Sequence, residues 1–464
     1  MTTRTRTVAV LAAALLALFT AACGGGDQAS GQNGNGIKVW TLENLPDRLE
    51  AQKALAQRFT QSTGINVDLV GVDEDQFQQL IRSSSASGDL PDVVGAVPLA
   101  GVRSLAADEL LDTATAGRIV SDLGAETFSK RALELTRDRD TQLAVPSDGW
   151  AQLLLYRKDL LTAAGLQIPR TYADLATAAK TLNKDGVAGF VGATAAGDAF
   201  TQQTFEHVAL ANNCELVDAG GTVTLDDPQC QASFAFYDDL VRTASVPGAQ
   251  DADTTRATYF AGKAATMIWS SFILDELAGL RADAAPSCPE CTANPRFLVD
   301  NTGVVTALSG PDGTGPAQFG EIVSWGVVAG ADVDPAARFV EFMMADGYPD
   351  WIGFAPEGKI PARTGTKEEP DKFTKLWRTL PAGVDAKKPL ADFYPPDVLD
   401  ALAGSLDTFR RWGFTQGQGA LVGASLGELP VPQAVAAMTS GEVDAGQAAK
   451  QAADAVTALQ KSLK

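Results

Sequence analysis

The stretch that decides the fold is Tyr259–Leu277, with the sequence Y-F-A-G-K-A-A-T-M-I-W-S-S-F-I-L-D-E-L. Its pattern predicts the end of a helix at Gly262, a short buried strand over 264–268 and a turn before a new helix. Strand ends that carry aromatic and hydroxyl side chains are where open α/β sheets place ligand sites. The alternative is that Trp269 and Phe272 belong to the core, because aromatic side chains are mostly buried. Taken alone, the stretch leaves both interpretations open.

The chain on either side alternates between strand and helix patterns. Strands are predicted at 37–41, 65–70 and 93–97, with helices over 47–63 and from Asp73 onward. This alternation predicts a parallel, doubly wound α/β sheet. Later strands are predicted at 142–146, 151–156, 297–308 and 322–328, with a loop at Ser147–Trp150 and a helix over 335–345. The two strands around that loop resemble a crossing between two lobes.

The charge of the chain excludes one class of partner. The 464 residues carry a formal charge of −20, which becomes −22 if the leader with Arg4 and Arg6 is removed. Nucleic-acid binding needs a basic face, so we expect no nucleic-acid partner. The balance fits a protein outside the cytoplasm that binds a neutral ligand. The length suggests two or three domains.

The N-terminus predicts export and a lipid anchor. Arg4 and Arg6 precede the apolar run 8–19 and the small residues Thr20-Ala21-Ala22, a pattern typical of a signal peptide over 1–22. The run is too short to span a membrane. T-A-A-C resembles a bacterial lipobox, which implies cleavage before Cys23 and attachment of lipid to its thiol. Residues 23–36 would then be the lipidated cysteine and a flexible tether.

Four further cysteines predict disulfide bonds, because an even number in an exported chain is typical of them. Cys214 with Cys230 would close a hairpin-like segment, and Cys288 with Cys291 a tight loop. The alternative for C-P-E-C is a redox pair or half of a zinc site. A structural role is favoured, since no second C-x-x-C and no helix start accompany it.

Several kinds of catalytic site are disfavoured by the sequence. The only histidine is His207, in a predicted helix, and no G-x-S-x-G or H-E-x-x-H motif is present. Neither a P-loop nor a G-x-G-x-x-G fingerprint occurs, so we expect no nucleotide cofactor and no metal. Paired carboxylates could still form a glycosidase, because Glu43, Asp75, Asp92 and Asp148 lie near predicted strand ends.

A binding site accounts for more of the polar and aromatic residues at the predicted strand ends. Carboxylates, amides and arginines can hydrogen-bond to sugar hydroxyls, while aromatic rings cover the apolar face of the sugar. Each aromatic could instead be a core residue, and Arg363 could instead form a surface ion pair. The candidate binding residues are Glu43, Asn44, Asp75, Gln76, Asp148, Trp150, Trp269, Ser271, Phe272, Trp325, Arg363, Arg411 and Trp412.

Nine segments, taken in their order and spacing, carry a family resemblance. They are I-K-V-W-T (37–41), F-T-Q-S-T-G-I-N-V (59–67), S-G-D-L-P-D-V-V (87–94), A-V-P (144–146), L-L-L-Y-R-K-D-L-L-T-A-A-G-L (153–166), P-R-T-Y-A-D-L (169–175), F-A-G-K-A-A-T-M-I (260–268), K-I-P-A-R (359–363) and G-E-V-D-A-G-Q-A-A-K-Q-A (441–452). Together they resemble the extracellular solute-binding proteins of carbohydrate ABC transporters, the group that includes the maltose-binding protein.

The resemblance implies two α/β lobes joined by a hinge, with a sugar in the cleft between them and lobe closure on binding. The N-terminal lobe would comprise 37–147 and 306–352, and the C-terminal lobe 148–305 and 353–464. The protein would be a monomer that is not an enzyme and needs no cofactor. It would be anchored through its lipid to the outer face of the cell membrane and would deliver a carbohydrate to permease subunits. A separate ATPase would supply the energy.

The resemblance also assigns residues to the cleft. It implies ligand contacts for Glu43 and Asn44 after the first strand, for Asp75 or Gln76, and for Trp150. Many members have Gly-x-Trp after the strand at 264–268, whereas this chain has W269-S-S-F272, so either ring could stack on the sugar. An extracytoplasmic glycoside-processing enzyme and a receptor for a non-sugar solute remain as alternatives.

Overall fold

The computed structural model describes residues 36–463 of the chain. The predicted signal peptide, Cys23 and the tether up to residue 35 lie outside the described residues, as does Lys464. Gly36, predicted to end the tether, begins the first strand instead. The described residues form one unit by their internal contacts.

The strands and helices follow in chain order. The strands are β1 (Gly36–Thr41), β2 (Asn66–Gly71), β3 (Val93–Pro98), β4 (Arg137–Asp138), β5 (Thr141–Gln142), β6 (Val145–Arg157), β7 (Thr266–Ser270), β8 (Thr302–Val305), β9 (Gln318–Val327), β10 (Ile360–Pro361), β11 (Pro381–Ala382), β12 (Lys388–Pro389) and β13 (Phe409–Arg410). The helices are α1 (Pro46–Thr63), α2 (Glu74–Ser87), α3 (Leu99–Ala107), α4 (Thr113–Leu123), α5 (Lys130–Leu135), α6 (Lys158–Ala163), α7 (Tyr172–Leu182), α8 (Ala199–Ala211), α9 (Pro228–Ala244), α10 (Ala252–Phe260), α11 (Ile273–Leu277), α12 (Pro289–Ala293), α13 (Phe297–Asn301), α14 (Val333–Met344), α15 (Tyr348–Gly353), α16 (Lys372–Trp377), α17 (Pro396–Ala403), α18 (Gly419–Glu428), α19 (Pro430–Thr439) and α20 (Ala445–Ser462).

The first half of the main sheet contains the predicted strand–helix repeat. Strand β1 pairs in parallel with β2 and β3, as the alternation predicts. Helix α1 lies between β1 and β2 in sequence and buries Leu55 and Phe59, spaced for one helix face. Beyond β3 the sheet is mixed, because β9 pairs antiparallel with β3 and β6 pairs antiparallel with β9. The prediction of a wholly parallel sheet is therefore correct only for β1, β2 and β3.

Strand β6 joins the two halves of the main sheet. Its first part, 145–151, pairs with β9, and its second part, 152–157, pairs with β7 and β8. On the side away from β9, the two-residue strand β10 pairs antiparallel with β6 at Asp148 and Gly149. All but one of its thirteen residues are buried.

The predicted loop at Ser147–Trp150 is wrong, because these residues continue β6. Glycine often interrupts a strand, yet Gly149 lies where β6 and β9 approach closely: an added Cβ would come within 2.7 Å of the Glu321 carbonyl oxygen. The hydroxyl of Ser147 donates to Asp148 at 2.7 Å, so its polar group is satisfied inside the sheet. A register shift between Pro146 and Asp148 accommodates the irregular sequence.

Two other boundaries differ from the prediction. Strand β7 covers 266–270, so Trp269 and Ser270 belong to the strand and the turn begins at Ser271. Its five residues are all buried. The segment 297–308 begins as helix α13 and becomes strand only at Thr302.

Both expected cysteine pairs are bonded, Cys214 with Cys230 and Cys288 with Cys291. Contrary to expectation, C-P-E-C does start a helix, since Cys288 caps α12. Within residues 36–463, no helix is long and apolar enough to cross a membrane. The same residues contain no cluster of three or more His, Cys, Asp or Glu side chains suited to a metal ion.

Candidate functional site

Three aromatic rings meet where the two halves of the sheet share β6. The ring centroid of Trp150 lies 5.6 Å from that of Phe319 on β9 and 6.4 Å from that of Phe272, which precedes α11. Trp150 and Phe272 are half-buried, while Phe319 is fully buried. A ring that stays partly open can cover the apolar C–H face of a sugar, so these rings are the centre of the candidate site.

The strand registers bring the rings together. In the β6–β9 pair, Trp150 and Phe319 lie on the same face of the sheet. In the β6–β7 pair, Gln152 lies opposite Ser270, where β7 ends. Phe272 follows two residues later, on the side of the sheet where Trp150 lies. The site therefore depends on pairing between segments more than 100 residues apart.

An ion-pair network lies beside Phe272. The guanidinium carbon of Arg48, on α1, is 5.3 Å from the centroid of the Phe272 ring, and Nη1 of Arg48 donates to Oε2 of Glu43 at 3.0 Å. Nζ of Lys359 lies 2.6 Å from Oε1 of Glu43 and 3.4 Å from Oδ2 of Asp148. The four charged side chains therefore hold one another in place next to the ring.

The two carboxylates of this network titrate differently. Burial raises the pKa of Glu43, but Lys359 and Arg48 outweigh burial and lower that pKa to about 2. Burial raises the pKa of Asp148 above its usual value, and Lys359 offsets this only in part. Oδ1 of Asp148 also accepts from the indole N–H of Trp351 at 2.5 Å. Every oxygen of the two carboxylates thus has a partner.

A second buried ion cluster lies beyond Phe319. The guanidinium carbon of Arg411 is 4.4 Å from the centroid of the Phe319 ring. Its Nε donates to Oε1 of Glu206 at 3.2 Å, and its Nη1 pairs with Oε2 of Glu321. The backbone N–H of Leu99, the first residue of α3, donates to Oε1 of Glu321 at 3.0 Å. Arg411, which directly follows β13, therefore binds α8 and β9, and Glu321 extends the cluster to α3.

Burial raises the pKa of Glu206 to about 7, although Arg411 and the backbone N–H of Trp412 oppose this. Oε2 of Glu206 and Nη2 of Arg411 are buried without a hydrogen-bond partner. The contacts run without a break from one ion cluster across the rings to the other, and we call the whole set the cross-sheet array. Its members are Glu43, Arg48, Asp148, Trp150, Glu206, Phe272, Phe319, Glu321, Lys359 and Arg411.

Five of the residues that the sequence singled out lie in the array: Glu43, Asp148, Trp150, Phe272 and Arg411. Ser271 lies next to it and is fully buried. Its backbone N–H donates to the Ala151 carbonyl at 2.8 Å, and its hydroxyl accepts from the Ala151 N–H at 3.4 Å. These bonds attach the turn to β6 and so position Phe272.

Trp269 points away from the array, since neighbouring residues of a strand face opposite sides. Its ring packs 5.6 Å from the ring of Phe200, and the guanidinium carbon of Arg256 lies 5.7 Å from its centroid. Its indole N–H donates to the Ala252 carbonyl at 2.9 Å. The structure therefore places Phe272, and not Trp269, beside Trp150.

Two other tryptophans are fully enclosed. The ring of Trp325, on β9, lies 4.9 Å from Trp351 and 5.8 Å from Phe339. The indole N–H of Trp412 donates to the Cys214 carbonyl at 2.8 Å. Neither ring reaches the array, and ligand contacts for them stay predictions.

Arg363 is buried, so the alternative of a surface ion pair is wrong. Its Nε donates to Oγ1 of Thr127 at 3.2 Å, and its Nη2 donates to the Leu123 carbonyl at 3.2 Å. Asn44 is half-buried in the loop after β1, and Gln76 is exposed on α2. Asp75 also lies on α2. The structure does not bring Arg363, Asn44 or Gln76 into the array.

Sequence reasoning missed five members of the array. Arg48, on α1, carried no signal beyond its position five residues after Glu43. Lys359 lies in the quoted segment K-I-P-A-R, where only Arg363 was chosen. Phe319 and Glu321 could have been found from the alternation along β9, and Glu206 from its place beside the only histidine.

Comparison with known proteins identifies the fold. Residues 43–349 match the model of a family described as bacterial extracellular solute-binding protein. The chain is 27% identical over 316 residues to an Escherichia coli protein named as the ABC transporter periplasmic-binding protein YcjN, covering 67% of this chain and 68% of the relative. It is 26% identical over 223 residues to a Sinorhizobium fredii protein named as the amino-acid ABC transporter periplasmic-binding protein y4oP, covering 46% of this chain and 51% of the relative.

Among solved structures, the chain resembles the GacH receptor of Streptomyces glaucescens, described unliganded and in complex with acarbose. The TM-score is 0.69 at 20% identity, and the match covers 92% of this chain and 98% of that one. The fold is accordingly the two-lobe α/β fold of periplasmic binding proteins, with β6 and β9 passing through its sheet.

Proposed function

This chain belongs to the family of bacterial extracellular solute-binding proteins, and we propose that it captures a sugar or oligosaccharide for an ABC transporter. The ligand would lie in the cleft between the lobes, against the cross-sheet array. The observation that carries the proposal is the pair of half-buried rings, Trp150 and Phe272, with fixed charges on both sides.

The chemistry of the array suits a sugar. The two rings offer apolar faces for the C–H face of a pyranose, while Arg48 beside Phe272 is a charged hydrogen-bond donor. The ion pair with Glu43 holds the guanidinium of Arg48 in one position before the ligand arrives. A site fixed in this way loses less entropy on binding, which raises affinity.

The array also draws on both proposed lobes. Glu43 and Arg48 belong to the proposed N-terminal lobe (37–147 and 306–352), and Phe272 and Lys359 to the proposed C-terminal lobe (148–305 and 353–464). A ligand that contacts both sets favours the closed arrangement, because it binds that arrangement more tightly than the open one. The permease would then recognise the closed, sugar-bound arrangement of the two lobes.

The carboxylates support binding and not hydrolysis. A glycosidase needs one carboxyl group to give a proton and another to attack or to activate water. Both oxygens of Glu43 are engaged by Lys359 and Arg48, and both oxygens of Asp148 by Trp351 and Lys359. We therefore propose that the protein has no catalytic activity.

The proposed setting is the outer face of the cell membrane. Cleavage before Cys23 and lipidation of its thiol would anchor the protein by residues 23–36, as a monomer close to its permease. The permease and its ATPase would be separate chains. Release of the protein from membranes by Cys23→Ser would support the anchor, and unchanged membrane retention would contradict it.

A second candidate ligand is an amino acid, because one relative carries that name. The charges of Arg48 and Glu43 could then pair with the carboxylate and the ammonium of the ligand. This requires their mutual ion pair of 3.0 Å to open, a cost that a neutral sugar avoids. The sugar is therefore favoured.

A thermal-shift screen of sugars, polyols and the twenty amino acids tests the proposal, since a ligand that binds only the folded state raises the melting temperature. We expect a sugar to give the largest shift. Phe272→Ala and Trp150→Ala should each raise the Kd for that sugar at least tenfold. Trp269→Ala, on the other face of β7, should change the Kd less than threefold. A shift with amino acids alone, or release of reducing ends from an oligosaccharide, would refute sugar capture.

A further inference from the structure

Three acidic side chains outside the array are buried beside the contact between α1 and Phe272. Asp275 and Glu276 lie on α11, and Glu357 lies two residues before Lys359. Asp275 and Glu357 are each 2% exposed, and Glu276 is 7% exposed. We call Asp275, Glu276 and Glu357 the acid cluster. The sequence singled out none of them, and the sugar site described above does not use them.

The segments that carry the acid cluster also carry parts of the array. Phe272 directly precedes α11, and Lys359 follows Glu357 and Gly358 in the chain. The two segments touch, because a Cβ added to Gly358 would lie 1.9 Å from the Phe272 ring. On β6, which packs against the second segment, Asp148 contacts Lys359. Any shift of these segments therefore also moves the Phe272 ring or Lys359.

The acid cluster has too few basic partners to keep its carboxyl groups ionised. Arg256 pairs with Oε1 of Glu276 at 3.0 Å, but Oε2 of Glu276 is buried without a hydrogen-bond partner. Oε2 of Glu357 is buried without a partner as well. Arg48 attracts Glu357, yet it forms its ion pair with Glu43. Because a buried carboxylate without a partner is unfavourable, such a group binds a proton instead.

The pKa of Glu357 reflects its burial more than its neighbours. Burial raises this pKa above its usual value, and Asp275 on α11 raises it further. Arg48 on α1 and Lys387 in the β11–β12 hairpin lower it but do not outweigh burial. Tyr394 brings no charge, because burial keeps its pKa well above the usual value. Glu357 therefore holds its proton to a higher pH than an exposed glutamate does.

The other two members of the acid cluster behave alike. Burial raises the pKa of Glu276 to about 7, and Asp275 adds to this rise. Arg256 and Arg281 offset only part of it. Burial also raises the pKa of Asp275, against Arg281 and the two basic groups that face Glu357. In this structure the cluster therefore holds protons that exposed carboxyl groups would have lost at neutral pH.

The acid cluster lies where the two proposed lobes meet. Its members belong to the proposed C-terminal lobe, while Glu43 and Arg48 belong to the proposed N-terminal lobe. Arg48 contacts the Phe272 ring and Glu43 contacts Lys359, so the N-terminal lobe lies against both segments that carry the cluster. Opening of the lobes would withdraw α1 and admit water. Exposed carboxyl groups lose their protons at about pH 4, so the open form would hold fewer protons than the closed form.

We propose that closure of the lobes around the sugar takes up protons at the acid cluster, so that capture strengthens as the surroundings become more acidic. This inference rests on the proposed function. A sugar that favours the closed form favours proton binding, and by reciprocity protons favour sugar binding equally. Since the closed form binds these protons more tightly, affinity should rise as the pH falls from about 8 to about 6. It should level off where the open form is protonated too.

Calorimetry counts these protons. Maltose, cellobiose and xylobiose are the probes, together with the sugar of largest thermal shift where that is a different one. Each is titrated into the mature protein at pH 7 in buffers of different ionisation enthalpy. The dependence of the heat on the buffer gives the number of protons taken up for each sugar bound. We expect an uptake of about half a proton or more, and a Kd roughly fivefold lower at pH 6 than at pH 8.

Glu357→Gln keeps the shape of the protonated side chain but cannot ionise. It should at least halve the proton uptake and flatten the pH dependence of the Kd. Asp275→Asn is a second variant with the same expectation, used if Glu357→Gln lowers the melting temperature. Glu442→Gln, which removes an exposed carboxylate in the turn before α20, is the matched control and should keep both effects.

Equal Kd values at pH 6 and pH 8, or a proton uptake that Glu357→Gln and Asp275→Asn both keep, would overturn the proposal while leaving sugar capture intact. Loss of the uptake in Glu206→Gln alone would assign the protons to the ion cluster around Arg411 and would overturn it as well. If no sugar in the thermal-shift screen binds, the proposed function fails first and this proposal with it.

Discussion

Lys359→Met would show how strongly the ion-pair network holds the array. Lys359 is almost completely buried, contacts Glu43 and Asp148, and lies 4.1 Å from the centroid of the Trp351 ring. Lowering the pKa of Glu43 from 4.5 to about 2 corresponds to about 3 kcal/mol of stability at pH 7. Removal of one partner of a buried ion pair costs about 3–5 kcal/mol, so we expect a loss in that range at pH 7.

The pH dependence of this loss gives a sharper test. In the wild type, the contribution of Glu43 is complete above pH 4.5 and disappears as the pH falls through about 2, because the folded state binds that proton less tightly. In the variant, Asp148 and Glu43 are buried with less positive charge nearby, so the folded state binds their protons more tightly. The deficit of the variant should therefore shrink as the pH falls from 7 to about 4.

Urea unfolding of wild type and variant at both pH values measures this deficit. Lys375→Met is the control, because Lys375 is exposed and pairs only with Asp371 on the surface. It should change the free energy of unfolding by less than about 1 kcal/mol at either pH. A Lys359→Met deficit below that of the control, or one that grows toward low pH, would refute the reasoning.

Three other substitutions test separate features. Gly358→Ala would place a Cβ 1.9 Å from the Phe272 ring, so the ring must move. Calorimetry should then show at least a tenfold loss of ligand affinity. An unchanged affinity would mean that Phe272 does not contact the ligand. Burial raises the pKa of Glu206 to about 7, so the wild type should lose stability as the pH rises from 4.5 to 7, and Glu206→Gln should flatten this slope in urea unfolding. Replacing Cys214 and Cys230 together by serine should cost about 2–4 kcal/mol in the same assay, and an unchanged free energy of unfolding would contradict this.

The local parts of the fold could be predicted from sequence. Strands β1 to β3 and helix α1 follow from apolar spacing and from Gly64, whose left-handed conformation ends α1. The prediction of a loop at Ser147–Trp150 was wrong because distant segments provide hydrogen-bond partners for its polar side chains. Asp148 meets Lys359 and Trp351, more than 200 residues away, and no local pattern shows them.

The candidate site was predictable in its residue types but not in its geometry. Whether Trp269 or Phe272 lies beside Trp150 depends on the side of the sheet to which each ring points. The register between β6 and β7 determines that side. Trp325, Trp412 and Arg363 are candidates because aromatic and arginine side chains recur in sugar sites, and their ligand contacts stay predictions. The same residue types fill cores and bind backbone carbonyls, and only tertiary contacts separate the two uses.

Strand order also governs when this chain can fold. Strand β9 lies between β3 and β6 in the sheet, yet Val327 pairs with Val93, more than 200 residues earlier. Strand β3 therefore cannot gain its second neighbour in the sheet until most of the chain has been synthesised. Contacts between such distant segments make folding slow. The main sheet is therefore completed only after residues 318–327 have been made, although β1, β2 and β3 can pair long before that.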